Sequence, residues 1–151
     1  MAGNSTRFDF SGAKVLVTGG TSGIGAGIAA AYRDAGASVT ITGTRASAAD
    51  YDADLAGYRY VQLDIEDRAQ IDAVAAAQDG LDVLVNNAGI ALPSLGFDEY
   101  EPEVFERAVN MHLVAGYRMA RRCRDALSQS TLAGGASIIG VASMSSYFGI
   151  G

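Results

Sequence analysis

Four glycines fall within nine residues in Val-Thr-Gly-Gly-Thr-Ser-Gly-Ile-Gly (17–25), directly after the apolar run Lys14–Thr18. Inside regular structure each glycine costs about 0.5–1 kcal/mol against alanine, so such a cluster needs a local cause. Between a strand and a helix, glycines let the main chain turn sharply and approach a bulky anion. Gly19, Gly23 and Gly25 leave room for the turn and for close packing of helix on strand. The N–H groups from Ser22 to Ile24, at the helix start, can then hydrogen-bond a pyrophosphate, and the helix dipole favours the negative charge. Thr21 and Ser22 add hydroxyl donors. The spacing is Thr-Gly-x-x-x-Gly-Ile-Gly rather than G-x-G-x-x-G, and no Lys-Ser/Thr follows it, which excludes a P-loop.

The elements that must position this turn follow from the apolar pattern. Lys14–Thr18 is β-branched and continuous, as in a strand buried on both faces. Residues 38–42, 58–64, 81–87 and 136–142 give four further strands. Helical spacing covers 23–37, with Ile24, Ile28, Ala31 and Tyr32 on one side and Gly36 at the end. A second helix is expected over 66–80, with acidic residues at the positive end of its dipole. A third is expected over 102–129, with Pro102 at its start. The stretch 44–58 has a poor pattern with room for a short helix. Strands alternating with helices through short connections mean βαβ units and a parallel sheet. We expect one doubly wound α/β domain over 1–151, strand order 3-2-1-4-5.

Composition narrows the function. Hydrophobic residues make up 49% of the 151 residues and charged residues 19%, the balance of a globular domain. A net charge of −6 opposes a general nucleic-acid role, which needs a basic surface. Cys123 has no second cysteine to pair with and reads as a buried thiol, in keeping with a reducing, cytoplasmic compartment. His112 is the one histidine, so no metal-ligand cluster is expected. The N-terminus lacks a signal-peptide core, and no apolar run approaches a membrane span of about 18 residues.

The glycine turn and four further stretches together resemble the short-chain dehydrogenase/reductase family, along all 151 residues. These stretches are Leu-Asp-Ile (63–65), Asn-Asn-Ala-Gly (86–89), Asn110 within the long helix, and Gly-Val-Ala-Ser-Met-Ser-Ser (140–146). The resemblance implies a Rossmann-like fold and interconversion of a secondary alcohol and a ketone, with hydride carried by NAD or NADP. It implies that Asp64, with Ile65 beside it, contacts the adenine. Asn87, Ala88 and Gly89 would line the cofactor site, and Asn86 would support the sheet. Asn110 would hold a helix kink and a water in a proton relay. Ser143 would hold the substrate carbonyl oxygen; Gly140 and Val141 select it over Ser145 and Ser146, although the family's preceding serine is Ala142 here.

Each of these residues also has a plain structural use. Asp64 suits a helix cap, the asparagines suit loop capping, and Asn110 suits a solvated helix face. Cofactor choice lies at the end of the second strand, where an acidic residue would take the ribose 2′-hydroxyl of NAD. Thr44 and Arg45 stand there instead, and arginine pairs well with phosphate, so NADP is favoured over NAD. The same pair opposes an S-adenosylmethionine methyltransferase, and Ser22 opposes the glycine spacing of sugar-nucleotide epimerases.

The family's Tyr-x-x-x-Lys pair is not found. Tyr147 is followed four residues on by Gly151 and is expected to pack beside the cleft instead. We therefore expect residues 1–151 to be the amino-terminal part of a longer protein, partnered by its own remainder, which would cover the apolar fifth strand. A non-catalytic nucleotide-binding protein is the alternative. Phe105, Val109, Leu113 and Tyr117 recur at helical spacing and suit either the core or a helix-pair contact in a homo-oligomer.

Overall fold

The computed structural model describes residues 7–144 and 147. Five strands form one parallel sheet in the order β3-β2-β1-β4-β5. They are β1 (Lys14–Val17), β2 (Ser38–Gly43), β3 (Arg59–Gln62), β4 (Val83–Asn86) and β5 (Ser137–Gly140). The helices are α1 (Gly23–Asp34), α2 (Arg68–Ala76), α3 (Pro102–Val109), α4 (Ala115–Arg122) and α5 (Arg124–Leu127). This is the doubly wound, Rossmann-like arrangement that the pattern predicts.

Successive side chains of a strand point to opposite faces, and β1 shows why both faces must be apolar. Val15 and Val17 join Val39, Ile41, Val83 and Val85 against Ala29 of α1. Leu16 faces the other way and joins Leu84, Ile71, Val74, Met119 and Cys123 from α2, α4 and the segment after it. Cys123 is fully buried, and burial pushes its thiol up to about 11, so it packs as a small apolar group.

Three local differences from the sequence expectation have physical causes. α2 begins at Arg68, because Asp67 caps it, accepting the N–H groups of Ala69 (2.8 Å) and Gln70 (3.2 Å). Asp64 does not cap the helix. Its carboxylate accepts the Glu66 N–H at 2.9 Å, and its own N–H donates to Gln70 Oε1 at 2.8 Å. The stretch 44–58 holds only a 3-10 turn, Ala48–Asp50, which Ser47 starts.

The expected long helix is interrupted between α3 and α4 by a wide π turn, Asn110–Val114. The Asn110 amide donates to the Glu106 carbonyl at 2.9 Å, and the Asn110 backbone N–H uses that same oxygen. Two donors crowd one acceptor, and the Ala115 N–H reaches the Asn110 carbonyl five residues back. Such turns are rare and often mark functional sites.

Among the described residues, apolar surface remains open on the long helix and on β5, as well as at scattered loop positions. Phe105, Leu113 and Tyr117 are each about two-thirds exposed, so the stripe on the long helix is not core. Among the described residues β5 pairs with β4 alone, its expected cover is not present, and Ile138 and Ile139 are exposed. Tyr147 is 87% exposed rather than packed, because no described element covers the end of β5. Ser145 and Ser146 lie outside the described residues. No helix among the described residues is long and apolar enough to cross a membrane.

Ion pairs tie the long helix to α2 and the turn before it. Asp72 accepts Arg118 at 2.8 and 2.5 Å and Arg122 at 3.0 and 3.2 Å. Glu66 accepts Arg107 at 2.8 Å through both oxygens. The Arg118 guanidinium holds Asp72 below its ordinary value of 3.8, and Arg107 holds Glu66 below 4.5. Carboxylates with lowered folded values contribute stability above their unfolded values and lose it as pH falls through the folded ones. The melting temperature should therefore fall on acidification from about pH 5 to about pH 3. A Glu66→Gln, Asp72→Asn double variant should flatten that slope in a pH series of thermal melts. Because these side chains are about a third exposed, salt should weaken the effect.

Candidate functional site

The sheet reverses its winding between β1 and β4, and the chain leaves each at its carboxyl end. In open α/β sheets this switch point is where ligands bind. The glycine turn, residues 18–22, fills the gap between the end of β1 and the start of α1. Gly19 and Gly23 adopt φ of +66° and +54°, a region that other residues rarely enter. The first α1 amide to find an acceptor is Ala26, whose N–H donates to the Ser22 carbonyl at 3.1 Å. The amides of Gly23, Ile24 and Gly25 have no intrahelical acceptor, and the Ser22 side chain does not cap them. Nothing stands within 4 Å of the place where a Gly23 Cβ would be, and Ile24 is 66% exposed. The helix start is therefore open.

What holds it open is a hydrogen-bonded brace. The Asn87 amide donates to the carbonyls of Thr18 (3.0 Å) and Gly19 (3.2 Å). Thr18 is buried, and its Oγ1 accepts the N–H groups of Asn87 and Ala88, both at 3.0 Å. That hydroxyl donates in turn to the Val85 carbonyl at 3.3 Å. From β2, the Thr42 hydroxyl accepts the Gly19 N–H at 3.1 Å, and the Thr42 carbonyl accepts the Gly20 N–H at 3.0 Å. Thr18 and Thr42 were not singled out from sequence. No local signal sets them apart: Thr18 continues the β-branched run of β1, and Thr42 shares β2 with two other hydroxyl residues, Ser38 and Thr40.

The other sequence-predicted residues gather along the same edge of the sheet. Thr44 and Arg45 follow β2, Asp64 and Ile65 follow β3, Asn87, Ala88 and Gly89 follow β4, and Ser143 follows β5. Asn86 ends β4, and its amide donates to the Gly116 carbonyl at 3.1 Å. Asn110 reaches this edge from the side, sharing a surface hollow with Ile65, Glu66 and Arg107. The π turn also touches the loop after β4, where His112 Nε2 lies 3.2 Å from the Ile90 carbonyl.

An open helix start at the switch point of a parallel, doubly wound sheet defines the class as a Rossmann-like α/β domain. The family model described as short chain dehydrogenase matches residues 13–150, and the chain belongs to that family. A 3alpha-hydroxysteroid dehydrogenase from Mediterraneibacter gnavus is 32% identical over 89% of this chain and 56% of its own. A D-threitol dehydrogenase from Mycolicibacterium smegmatis is 34% identical over 92% of this chain and 56% of its own. Among solved structures, the Pseudomonas aeruginosa RhlG/NADP active-site complex superimposes with a TM-score of 0.79 at 29% identity. That match covers 95% of this chain and 59% of RhlG. The chain thus spans a little over half the length of these relatives.

Proposed function

We propose that the protein is an oxidoreductase that interconverts a secondary alcohol and a ketone with NADP(H), and that residues 1–151 form its dinucleotide-binding part. The observation that carries this is the open start of α1 at the switch point, where three amides have no intrahelical acceptor among the described residues, behind a glycine turn braced from both sides. A diphosphate suits that place, because the amides donate and the helix dipole favours its charge. Gly19 and Gly25 keep the turn close, and Thr21 and Ser22 offer hydroxyls to the same anion. Thr44 and Arg45 take the ribose 2′-phosphate, Asp64 and Ile65 flank the adenine, and Asn87, Ala88 and Gly89 wall the nicotinamide side. NADP, the ligand named in the RhlG structure, supports the choice of nucleotide.

The bound dinucleotide supplies or accepts the hydride. Ser143 orients the substrate carbonyl through its hydroxyl, and Asn110 positions the proton relay. No Tyr-x-x-x-Lys pair occurs in residues 1–151, so we assign the proton step to a group outside them. The exposed Phe105, Leu113 and Tyr117 suit a helix-pair contact in a homo-oligomer.

Fluorescence titration with NADPH and NADH tests the nucleotide assignment. NADPH should bind more tightly, and Arg45→Ala should lower its affinity by about tenfold or more, the worth of a lost charge-assisted phosphate contact. A screen of carbonyl substrates with NADPH should then give turnover. If neither nucleotide binds, the assignment is overturned. Binding without turnover of any carbonyl would favour a non-catalytic nucleotide-binding protein.

A further inference from the structure

Two tyrosines hold the residue that reads the ribose. Tyr51 follows the 3-10 turn after β2, and its side chain folds back over the strand end. Its hydroxyl accepts the Arg45 N–H at 3.0 Å and lies 3.4 Å from the Tyr60 hydroxyl. Tyr60, from β3, directs its hydroxyl at the Gly43 carbonyl (3.0 Å) and at the Arg45 carbonyl. Both backbone polar groups of Arg45 are therefore bonded to tyrosine oxygens. The Arg45 guanidinium lies over the Tyr51 ring, 4.8 Å from its centroid, and Nη1 donates to the Asp50 carbonyl.

The fit leaves little slack. A Cβ on Gly43 would stand 2.3 Å from the Tyr51 oxygen and 2.8 Å from the Thr21 methyl. The ring thus spans from the end of β2 to the glycine turn. Burial pushes the Tyr51 phenol up, but its hydrogen bonds with Tyr60, the Arg45 amide, and the Thr44 and Thr21 hydroxyls outweigh this and bring it below 10.0. Its oxygen accepts the Arg45 N–H, and because the single Tyr60 proton points at the backbone carbonyls, the Tyr51 hydroxyl donates towards Tyr60. Arg45 is exposed, and an exposed arginine ordinarily samples many rotamers, which a ligand must freeze at an entropic cost. Here the side chain is stacked and bonded at one nitrogen, and most of its five donors still point elsewhere.

We infer that Tyr51 is a positioning residue for cofactor choice: it holds the Arg45 guanidinium in the arrangement that meets a ribose 2′-phosphate, and so sets the preference for NADPH over NADH. This rests on the assignment of Arg45 made above. Tyr60 acts with it by fixing the Arg45 main chain, while the ring and hydroxyl of Tyr51 fix the side chain and the amide.

The test is the ratio of NADPH to NADH affinity, read from the fluorescence of the reduced nucleotide in a protein whose described sequence has no tryptophan. Tyr51→Leu removes both the ring and the hydroxyl, and should lower the ratio about tenfold. Tyr51→Phe keeps the ring and should lower it only about two- to threefold. In an Arg45→Ala background neither change should move the ratio further, since residues acting through one another are not additive. An unchanged ratio in Tyr51→Leu, with both nucleotides losing affinity alike, would reduce Tyr51 to a structural support and overturn the inference. A full additional effect in the Arg45→Ala background would overturn it too. Should circular dichroism show Tyr51→Leu unfolded, Tyr51→Phe and its double variant with Arg45→Ala decide by the same criteria. A wild-type protein with no preference for NADPH would instead overturn the assignment of Arg45, and this inference with it.

Discussion

Gly25→Ala should abolish tight nucleotide binding and lower the melting temperature by about 5–15 °C, although it adds only a methyl group. A Cβ at Gly25 would lie 2.2 Å from the Gly19 carbonyl oxygen and 2.4 Å from the Asn87 amide nitrogen. Those two atoms are already hydrogen-bonded to each other at 3.2 Å. The methyl cannot enter without prising the turn from α1 or driving Asn87 off its acceptors. Overpacking of this kind costs about 1–3 kcal/mol, and each Asn87 bond lost adds about 0.5–1.5 kcal/mol. A displacement near 1 Å in a positioning element costs on the order of a hundredfold in function, so NADPH affinity should fall at least about that far. Gly27→Ala is the control. It lies in the same helix, nothing stands within 4 Å of its Cβ position, and alanine there should stabilise by up to about 1 kcal/mol. Thermal melts and NADPH titration of the two variants check the contrast, and similar behaviour would refute the account of the turn.

Thr18→Val should cost about 3 kcal/mol despite keeping the size and branching of the side chain. The lost hydroxyl accepts two backbone N–H groups and donates to the Val85 carbonyl. Valine would leave both amides without that acceptor, and an orphaned buried donor costs about 1–3 kcal/mol. Thr18→Ser keeps the hydroxyl and deletes one methyl, which costs about 1 kcal/mol. Urea unfolding should therefore rank threonine above serine and serine well above valine. A valine variant as stable as the serine variant would show that the hydroxyl does not brace the turn.

The strands and the glycine turn could be read in the sequence because each rests on a local rule. A β-branched run between glycines can hardly be anything but a buried strand, and β1 has the predicted neighbours on both sides. Helix ends were less legible. Asp64 and Asp67 are the same residue type three positions apart, and the choice between them turns on Gln70, whose side chain bonds both. The π turn was hidden because its mark is a shift of one backbone bond, Ala115 N–H to the Asn110 carbonyl, which no apolar periodicity records. Thr18, Thr42, Tyr51 and Tyr60 were missed for a common reason. Each gains its role from a tertiary contact that no periodicity records, as when Tyr60 of β3 meets Arg45 after β2, or when the loop folds Tyr51 back onto Arg45.

The wide turn at Asn110–Val114 also keeps time along the helix. Met111, Ala115, Met119 and Cys123 are all buried, yet they are spaced by four, and in a regular helix of 3.6 residues per turn each such step overshoots by about 40°. Three steps would swing the last side chain roughly a third of the way round the axis. One slackened coil subtracts part of that rotation, so the same side of the rod meets the sheet from beginning to end. Removing one residue between 110 and 114 would close the coil to an ordinary four-residue turn and leave Met119, Arg118 and Arg122 on their present sides. Adding one would turn Arg118 and Arg122 away from Asp72 and carry Met119 towards water.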